Sequence, residues 1–403
     1  MADPQRALPF DRPRARGDPL VEAELQRRLR DRGRITFAEF MEVALYLPYG
    51  GYYEEHVALG RRGDFLTSPE THPGFGALMA RFLQLSWEGL GRPSSFDAIE
   101  YGAGSGSLCR QIVLAAPRLS PAFAAALRYH IIERSAFLRA VQQAELLDLV
   151  SQVDWVHPDA GTGWDAGCVL ANEVVDAFPV HRVRIRGGLA EELYVGRAAD
   201  RYLELPGPLS GSELGAHLAE GETRPGDGAV VEVNLAARGW AQDVARRLER
   251  GHVLTLDFGG SARELLASAS PRGGLRCCWR HAWSDDPLDH PGLQDIAAPV
   301  DFTLLARAGE EVGLTPWAEL SQAELLRLLG IEDALAYIEA APLPVAARER
   351  NRAALLALSA PRGLGGFRAL LQAKSAPPIP LSPPDSPLSW LPLLPEEAPA
   401  WPE

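Results

Sequence analysis

The chain is poor in cysteine and has a single lysine, Lys374, among its 403 residues. Its four cysteines form no C-x-x-C pair, and two of them, Cys277 and Cys278, are adjacent, which argues against a disulfide scaffold and against a zinc site. No run of about 18 apolar residues is present, so no transmembrane helix is indicated. These absences predict a reduced cytosolic protein that holds no metal and is not inserted in a membrane.

Basic residues are also in the minority. The chain has 40 lysines and arginines against 53 aspartates and glutamates, which gives a formal net charge of −13. Such a surface repels the phosphates of nucleic acids, so general nucleic-acid binding is not expected. A cationic segment of another protein is the more natural partner for this charge.

The length and the 46% hydrophobic content allow one large α/β domain with additions, or two domains. Residues 1–19 contain arginines, acids and prolines but no apolar core of a secretory signal, and we expect a disordered tail there. A helical cap is expected over residues 20–95 and the α/β domain over residues 96–375, with an insertion at about 182–245. Proline dominates residues 376–403, which predicts an extended tail rather than a packed domain.

Short apolar runs predict strands of the α/β domain at residues 98–100, 129–133, 168–172 and 252–257. Helical stretches separate them, as a parallel, Rossmann-like sheet requires. Residues 182–205 instead alternate apolar and polar side chains around two glycines, which predicts a hairpin inserted into the domain. Capping boxes, one formed by Thr36 with Glu39 and one by Ser321 with Glu324, predict the starts of two helices.

A glycine-rich turn follows the first of these strands. The strand ends in Glu100, and Gly102, Gly104 and Gly106 precede a helical stretch that begins at Ser107. Glycine lets the backbone turn sharply and lets a ligand approach where a Cβ would collide. Dinucleotide enzymes prefer G-x-G-x-x-G, whereas E-x-G-x-G-x-G is typical of class I methyltransferases, whose S-adenosylmethionine has no phosphate. A turn without a ligand and a dehydrogenase are the alternatives.

The second strand also ends in an acid, Glu133. A carboxylate at that place can accept hydrogen bonds from both hydroxyls of a ribose, which is how nucleoside-binding α/β folds hold the sugar. The alternative is a solvated glutamate on the surface.

Polar residues also follow the third strand, where Asn172, Glu173 and Asp176 come directly after an apolar run. The carboxyl edge of a parallel sheet faces the ligand crevice, so these side chains are candidates for a site. The alternatives are a helix cap at Asn172 and surface acids.

Residues 60–70, taken by composition alone, are a turn followed by a helix start.

Several motifs occur together and in a fixed order: GGYY at 50–53, GDFLTSPE at 63–70, EYGAGSGSL at 100–108, IERSAFLR at 132–139, ANEVVDAFPVHR at 171–182, LDFGG at 256–260 and a longer stretch at 274–305. In this combination the chain resembles the MidA-like family of class I S-adenosylmethionine-dependent methyltransferases over roughly residues 30–350. The family includes a mitochondrial complex I assembly factor that methylates an arginine of a complex I subunit.

The resemblance implies S-adenosylmethionine as the cofactor and a set of residues that contact it. The cofactor lies across the glycine turn with Glu133 on its ribose, and a loop closes over it. The implied cofactor-binding residues are Thr67, Ser68, Pro69, Glu70, Glu100, Gly102, Gly104, Gly106, Glu133 and Asn172.

On the acceptor side, the resemblance implies methylation of an arginine in a protein. Carboxylates can orient a guanidinium through paired hydrogen bonds, and Glu173, Asp176 and Asp257 are the candidate acids. His281 is either a proton acceptor or a structural hydrogen-bonding residue. The chain departs from the family pattern near Phe258, near His281 and at residues 295–297.

The expected partner is a protein substrate, with a respiratory complex I subunit as one candidate, and a homodimer is compatible with the sequence. The expected location is the cytoplasm of a bacterium, or the mitochondrial matrix if the chain is eukaryotic. The competing hypothesis is a non-catalytic assembly factor that retains the cofactor-binding fold.

Overall fold

A computed structural model describes residues 17–57, 67–220, 225–280, 282–284, 286–383 and 390–394. The helices within these ranges are α1 (Pro19–Arg32), α2 (Phe37–Tyr46), α3 (Ser68–Thr71), α4 (Gly74–Gly89), α5 (Ser107–Leu119), α6 (Pro121–Ala126), α7 (Ala136–Glu145), α8 (Ser212–Glu220), α9 (Leu235–Arg247), α10 (Ala262–Ser268), α11 (Phe302–Glu310), α12 (Gln322–Leu329), α13 (Ile331–Ala340) and α14 (Val345–Leu358).

The strands are β1 (Ile35–Thr36), β2 (Phe96–Tyr101), β3 (Leu127–Ile132), β4 (Val153–Val156), β5 (Gly167–Asn172), β6 (His181–Arg186), β7 (Leu189–Ala198), β8 (Arg201–Gly207), β9 (Val230–Val233), β10 (Gly251–Asp257), β11 (Gly259–Gly260), β12 (Arg276–Trp279), β13 (Ala282–Ser284), β14 (Asp295–Ala297), β15 (Val300–Asp301), β16 (Thr315–Ser321) and β17 (Arg368–Lys374). Single turns of other helix types occur at Tyr52–His56, Leu147–Gln152, Pro158–Ala160, Val175–Ala177 and Leu364–Gly366.

The main sheet has the order β16-β17-β10-β5-β2-β3-β4. Strands β10, β5, β2, β3 and β4 are parallel, and β17 runs antiparallel to both β10 and β16. The chain leaves β2 toward β3 on one side and later enters β5 on the other, so a crevice opens at the carboxyl ends of these strands. The predicted α/β, Rossmann-like sheet and its four strands are confirmed.

Helices cover both faces of this sheet because the strands are apolar on both sides. Ala98 packs in the cluster that contains Ile112 of α5, whereas the next residue, Ile99, packs with Val244 of α9. Successive strand residues point to opposite faces, so α5 and α9 lie on opposite sides of the sheet. Although α4 falls in the predicted cap, its Phe82 belongs to the same cluster as Ala98.

A second sheet, with the order β1-β7-β6-β9 and β8 beside β7, contains the predicted hairpin. Helices α1 and α2 pack on it through a cluster that includes Leu25, Phe40 and Val195. The capping box of Thr36 with Glu39 is present at the start of α2, and that of Ser321 with Glu324 at the start of α12. The cap helices and the inserted sheet therefore pack against each other.

The described part of the proline-rich segment has neither helix nor strand, but it is docked on the domain. Ile379, Leu391 and Leu394 are buried. The carbonyl of Pro377 accepts a hydrogen bond from His252 Nε2 at 2.9 Å, and Leu394 N donates to Asn351 Oδ1 at 2.8 Å. Ile379 and Leu391 join the main core, and an extended tail over residues 376–403 as a whole stays a prediction.

The four cysteines are unpaired and buried. None of the helices that the structure describes is long and apolar enough to cross a membrane. Within the same residues, no group of three or more histidine, cysteine, aspartate or glutamate side chains is arranged to hold a metal ion.

Candidate active site

A cavity of about 720 Å³ lies at the carboxyl ends of β2, β3 and β5. Most of the residues predicted for the site line it: Thr67, Pro69, Glu70, Glu100, Gly102, Gly104, Glu133, Asn172, Glu173 and Asp176. Ser68, Gly106 and Asp257 stand behind this wall, and His281 lies outside the described residues. Residues distant in the sequence thus meet at the sheet edge predicted for ligand binding.

The glycine turn between β2 and α5 has a left-handed backbone at Gly102, Gly104 and Gly106, where φ is 60°, 53° and 89°. A Cβ at Gly102 would lie 3.1 Å from Val174 Cγ2, and a Cβ at Gly106 would lie 3.3 Å from Leu146 Cδ1. A Cβ at Gly104 would meet no described atom within 4 Å. Gly104 therefore borders open space in the cavity, where a ligand can approach the backbone.

Glu100, at the end of β2, is only 3% exposed and accepts a hydrogen bond from Tyr129 Oη at 2.8 Å. Burial raises the pKa of Glu100 to about 8, although the tyrosine hydroxyl acts in the opposite direction. The carboxyl group is therefore largely protonated near neutral pH in the ligand-free protein.

Glu100 is expected to make the protein less stable as the pH rises. Its carboxyl titrates near 4.5 in the unfolded chain and near 8 in the folded one, so its contribution to stability is complete below pH 4.5 and is lost as the pH rises through 8. Between pH 5 and 8, the free energy of unfolding of the parent should fall by about 3 kcal/mol more than that of Glu100→Gln. Urea unfolding of the ligand-free protein measures this, and parallel pH profiles of parent and variant would refute it.

Glu133 is buried beside the turn, and each of its carboxylate oxygens has a partner. Ser135 N donates to Oε1 at 2.9 Å, and Gln142 Nε2 donates to Oε2 at 3.0 Å. Gln142 Nε2 also donates to the carbonyl of Gly104 at 3.1 Å, while its Oε1 accepts from Trp155 Nε1. Gln142 thus fixes Glu133 relative to the glycine turn. Nothing in the sequence pattern distinguishes it from an ordinary helical glutamine.

Replacement of Glu133 by alanine is expected to weaken cofactor binding by about 1.5–3 kcal/mol, the range for hydrogen bonds to a charged group. Glu133→Gln keeps one acceptor oxygen and should lose less. Calorimetric titration with S-adenosylhomocysteine gives both affinities. If the alanine variant binds as tightly as the parent, Glu133 does not contact the ligand.

The segment from Thr67 to Glu70 is fastened to the turn and to β5. Glu70 Oε1 accepts from Ser105 Oγ at 2.5 Å and from Ser107 Oγ at 2.7 Å. Ser68 N donates to Glu173 Oε1 at 3.1 Å, and Ser68 Oγ donates to Gln322 Oε1 at 2.9 Å. Thr67, Pro69 and Glu70 therefore line one wall of the cavity, and Ser68 lies behind them.

Glu173 has a left-handed backbone, with φ of 54°, which is uncommon for a residue other than glycine. Its N–H donates to the carbonyl of Leu256 at 2.8 Å, and its Oε1 also accepts from Asn172 Nδ2 at 3.2 Å. Burial raises the pKa of Glu173 to about 8, and the charge of Asp176 adds to the effect. The strained backbone turns this carboxyl into the cavity.

Asp257 lies beneath the site, and the structure corrects its predicted role in direct contact with the substrate. It is fully buried, and its Oδ2 accepts from the N–H groups of Val174, Val175 and Asp176 at 3.0–3.2 Å. Its Oδ1 accepts from Phe258 N at 2.8 Å. Burial raises its pKa to about 7, although these donors oppose the shift. With both oxygens engaged, Asp257 is a positioning residue for the loop that carries Glu173.

Another part of the cavity wall is formed by residues that the sequence analysis did not select as site residues. Tyr53 Oη donates to Asp295 Oδ1, and Tyr46 Oη donates to the carbonyl of Ala177, both at 2.8 Å. The two tyrosine rings are stacked, with centroids 5.6 Å apart. Burial and the nearby Asp257 and Asp295 hold the pKa of Asp176 well above its ordinary value. Tyr53 lies in the GGYY motif and Asp295 in the matched stretch at 274–305, which were the signals available in the sequence.

The residues present fit a ligand with the polar groups of S-adenosylmethionine. Gly104 offers open space against the backbone, and Glu133 offers a buried carboxylate. Asn172 lines the cavity, and its buried Oδ1 has no hydrogen-bond partner among the described residues. That oxygen is an acceptor suited to an ammonium group.

Comparison with known proteins identifies clear relatives. Residues 78–318 match the family model of S-adenosyl-L-methionine-dependent methyltransferases. The protein arginine methyltransferase NDUFAF7 homolog of Drosophila melanogaster, a mitochondrial protein, is 29% identical over 327 residues, which cover 74% of this chain and 71% of that protein. The corresponding protein of Danio rerio is 29% identical over 335 residues and covers 74% of both chains.

A solved structure has the same fold and contains a ligand. This Burkholderia thailandensis protein, bound to S-adenosyl-homocysteine, is 30% identical and covers 89% of this chain and 93% of its own, with a TM-score of 0.80. A native crystal structure of a protein from the same organism has a TM-score of 0.79 and is 29% identical.

Proposed function

Since the chain belongs to the S-adenosylmethionine-dependent methyltransferase family, we propose that it transfers the methyl group to an arginine side chain of a protein. The membership confirms the predicted MidA-like resemblance and the cofactor, S-adenosylmethionine. The arginine acceptor is supported by the names of the relatives, which are protein arginine methyltransferases, and by one feature of the cavity. Glu173, Asp176 and Asp295 all face the cavity and provide the carboxylates that a guanidinium requires.

The carboxylates have distinct tasks in this proposal. S-adenosylmethionine, when bound, supplies a methyl carbon that a nucleophile displaces in line. Ser68 N and Asn172 Nδ2 hold Glu173 Oε1, so Oε2 is the oxygen that the described residues leave for a substrate. A methylated guanidinium nitrogen must release a proton, and a carboxylate whose pKa is raised to about 8 is a suitable acceptor at Oε2. Asp176 and Asp295 orient the rest of the guanidinium.

The test is methyl transfer from radiolabelled S-adenosylmethionine to matched peptides that differ only in a central arginine, lysine or glutamine. Label recovered as methylarginine, from the arginine peptide alone, is the expected result. Label in the lysine or glutamine peptide would refute the arginine proposal. Binding of the cofactor with no transfer to any peptide or to proteins co-purified from the native cells would instead favour the non-catalytic assembly factor, for which the relatives provide no support.

The partner protein and the cellular location of this chain are further proposals. The mitochondrial relatives support the matrix for a eukaryotic chain, and the bacterial cytoplasm stays a prediction. A complex I subunit as the substrate, and a homodimer, also stay predictions. Mass spectrometry of methylarginine in cells with and without this protein tests the complex I subunit as the substrate, and sedimentation velocity tests the homodimer.

A further inference from the structure

A second depression adjoins the catalytic cavity on its outer side. This outer groove, of about 1050 Å³, is lined by Tyr46, Pro48, Tyr49, Glu54, Glu55, Arg134, Ala136, Phe137, His157, Pro158 and Asp159. Tyr46, Arg134 and Pro158 line both the groove and the cavity. The groove and the cavity therefore border the same three residues, so a chain lying in the groove runs next to the cavity.

The groove combines aromatic rings with acidic side chains. The ring of Tyr49 is 79% exposed and that of Phe137 is 37% exposed, which is unusual for such large side chains. Tyr49 also has a left-handed backbone, with φ of 65°, an uncommon conformation for a bulky residue. Exposed tyrosine is the type of residue that anchors protein partners.

The charge of the groove is negative. Glu55 and Asp159 are exposed along it, and Glu54 is half-buried. The one arginine of its lining, Arg134, is paired with Glu42 at 2.9 Å, and its guanidinium carbon lies 4.2 Å from the centroid of the Tyr46 ring. His157 Nδ1 accepts from Asp159 N at 3.2 Å. The groove therefore attracts cations, and the guanidinium of Arg134 already lies against the ring of Tyr46.

We propose that the outer groove binds a basic, extended segment of the acceptor protein next to the arginine that enters the cavity. This inference rests on the proposed arginine methylation. Tyr49 and Phe137 contact the apolar parts of the segment, and Glu54, Glu55 and Asp159 pair with its lysines or arginines. Substrate selection is thereby separated from the transfer chemistry, because the groove recognises the flanking sequence and the cavity recognises the methylated side chain.

The experiment measures fluorescence anisotropy of labelled peptides on the full-length protein saturated with S-adenosylhomocysteine. Three peptides of equal length are compared: a central arginine flanked by lysines, the same arginine flanked by serines, and an alanine flanked by lysines. We expect the lysine-flanked arginine peptide to bind most tightly, the alanine peptide to retain measurable binding, and both affinities to fall as salt increases.

Glu55→Lys should weaken binding of the lysine-flanked peptides by about five- to tenfold, since it replaces an attraction by a repulsion. Tyr49→Asn, which tolerates the left-handed backbone, should also weaken it. The matched control is Glu310→Lys on α11, an exposed acid outside the groove, which changes the net charge equally and should leave the affinity within about twofold. Equal losses from Glu55→Lys and Glu310→Lys would overturn the groove, because they would indicate general attraction only.

Two further outcomes separate this inference from the proposed function. If the lysine-flanked peptide binds as expected but accepts no methyl group, the arginine proposal fails and the groove stands. If parent and Glu55→Lys methylate it with the same kcat/KM, the groove fails and the arginine proposal stands. A third outcome is that the parent is a dimer that does not bind the peptides and that Tyr49→Asn dissociates this dimer. In that case a second copy of this chain fills the groove, and the proposal is wrong.

Discussion

Replacement of Gly104 by valine is expected to abolish S-adenosylmethionine binding while the protein stays folded. The space where a Cβ would lie is free of described atoms within 4 Å and belongs to the cavity wall, so the valine would occupy room that the ligand needs. We expect a weakening of at least about 100-fold, equal to about 2.7 kcal/mol. Calorimetric titration with S-adenosylhomocysteine, accompanied by a thermal melt, measures both binding and folding.

Valine at a left-handed position also strains the backbone by about 1–2 kcal/mol, so a control with the same strain is needed. Gly187 provides it, because its φ is 58°, its Cβ position is equally open, and it lies in the turn between β6 and β7, outside the cavity. Gly187→Val should lower the melting temperature by a similar amount and bind the ligand normally. A folded Gly104→Val protein with parental affinity would place the cofactor elsewhere.

The sequence predicted those parts of the fold that local patterns determine. The core strands are recognisable because each is a short apolar run between helical stretches, and the start of α2 because Thr36 and Glu39 form a capping box within four residues. The packing of α4 against the main core and the docking of Ile379 depend on contacts between segments far apart in the chain. Local periodicity contains no information about which core an apolar face will join.

The same distinction applies to the site. The glycine turn, Glu133 and Glu173 were predictable because each follows a strand, and strand ends converge at one edge of a parallel sheet. Gln142, Tyr46 and Asp295 come from a helix interior, a cap helix and a short antiparallel strand, which the sequence did not place near that edge. The role of Asp257 was also hidden, because a strand-end acid can face a ligand or hold a neighbouring loop.

Neutralising the acceptor acids is expected to stop methyl transfer without loss of the cofactor. Glu173→Gln and Asp176→Asn keep the size of each side chain but remove the charge that orients a guanidinium, and the first also removes the proton acceptor. We expect transfer to an arginine peptide to fall by at least ~100-fold, with the affinity for S-adenosylhomocysteine within about threefold of the parent. Asp243→Asn, which neutralises another acid of the cavity wall, is the control and should retain transfer.

The pH profile distinguishes a proton acceptor from a merely structural acid. Since the pKa of Glu173 is raised to about 8 in the folded protein, its reactive carboxylate form becomes scarcer as the pH falls below 8. For the parent, kcat/KM should therefore rise about tenfold per pH unit up to about 8 and then level off. Asp176→Asn should keep this rise of kcat/KM with pH at a lower absolute rate, and Glu173→Gln should lose the rise. If kcat/KM of Glu173→Gln still rises with pH as in the parent, another group accepts the proton. If the variants lose cofactor binding as much as they lose methyl transfer, these acids belong to the cofactor pocket.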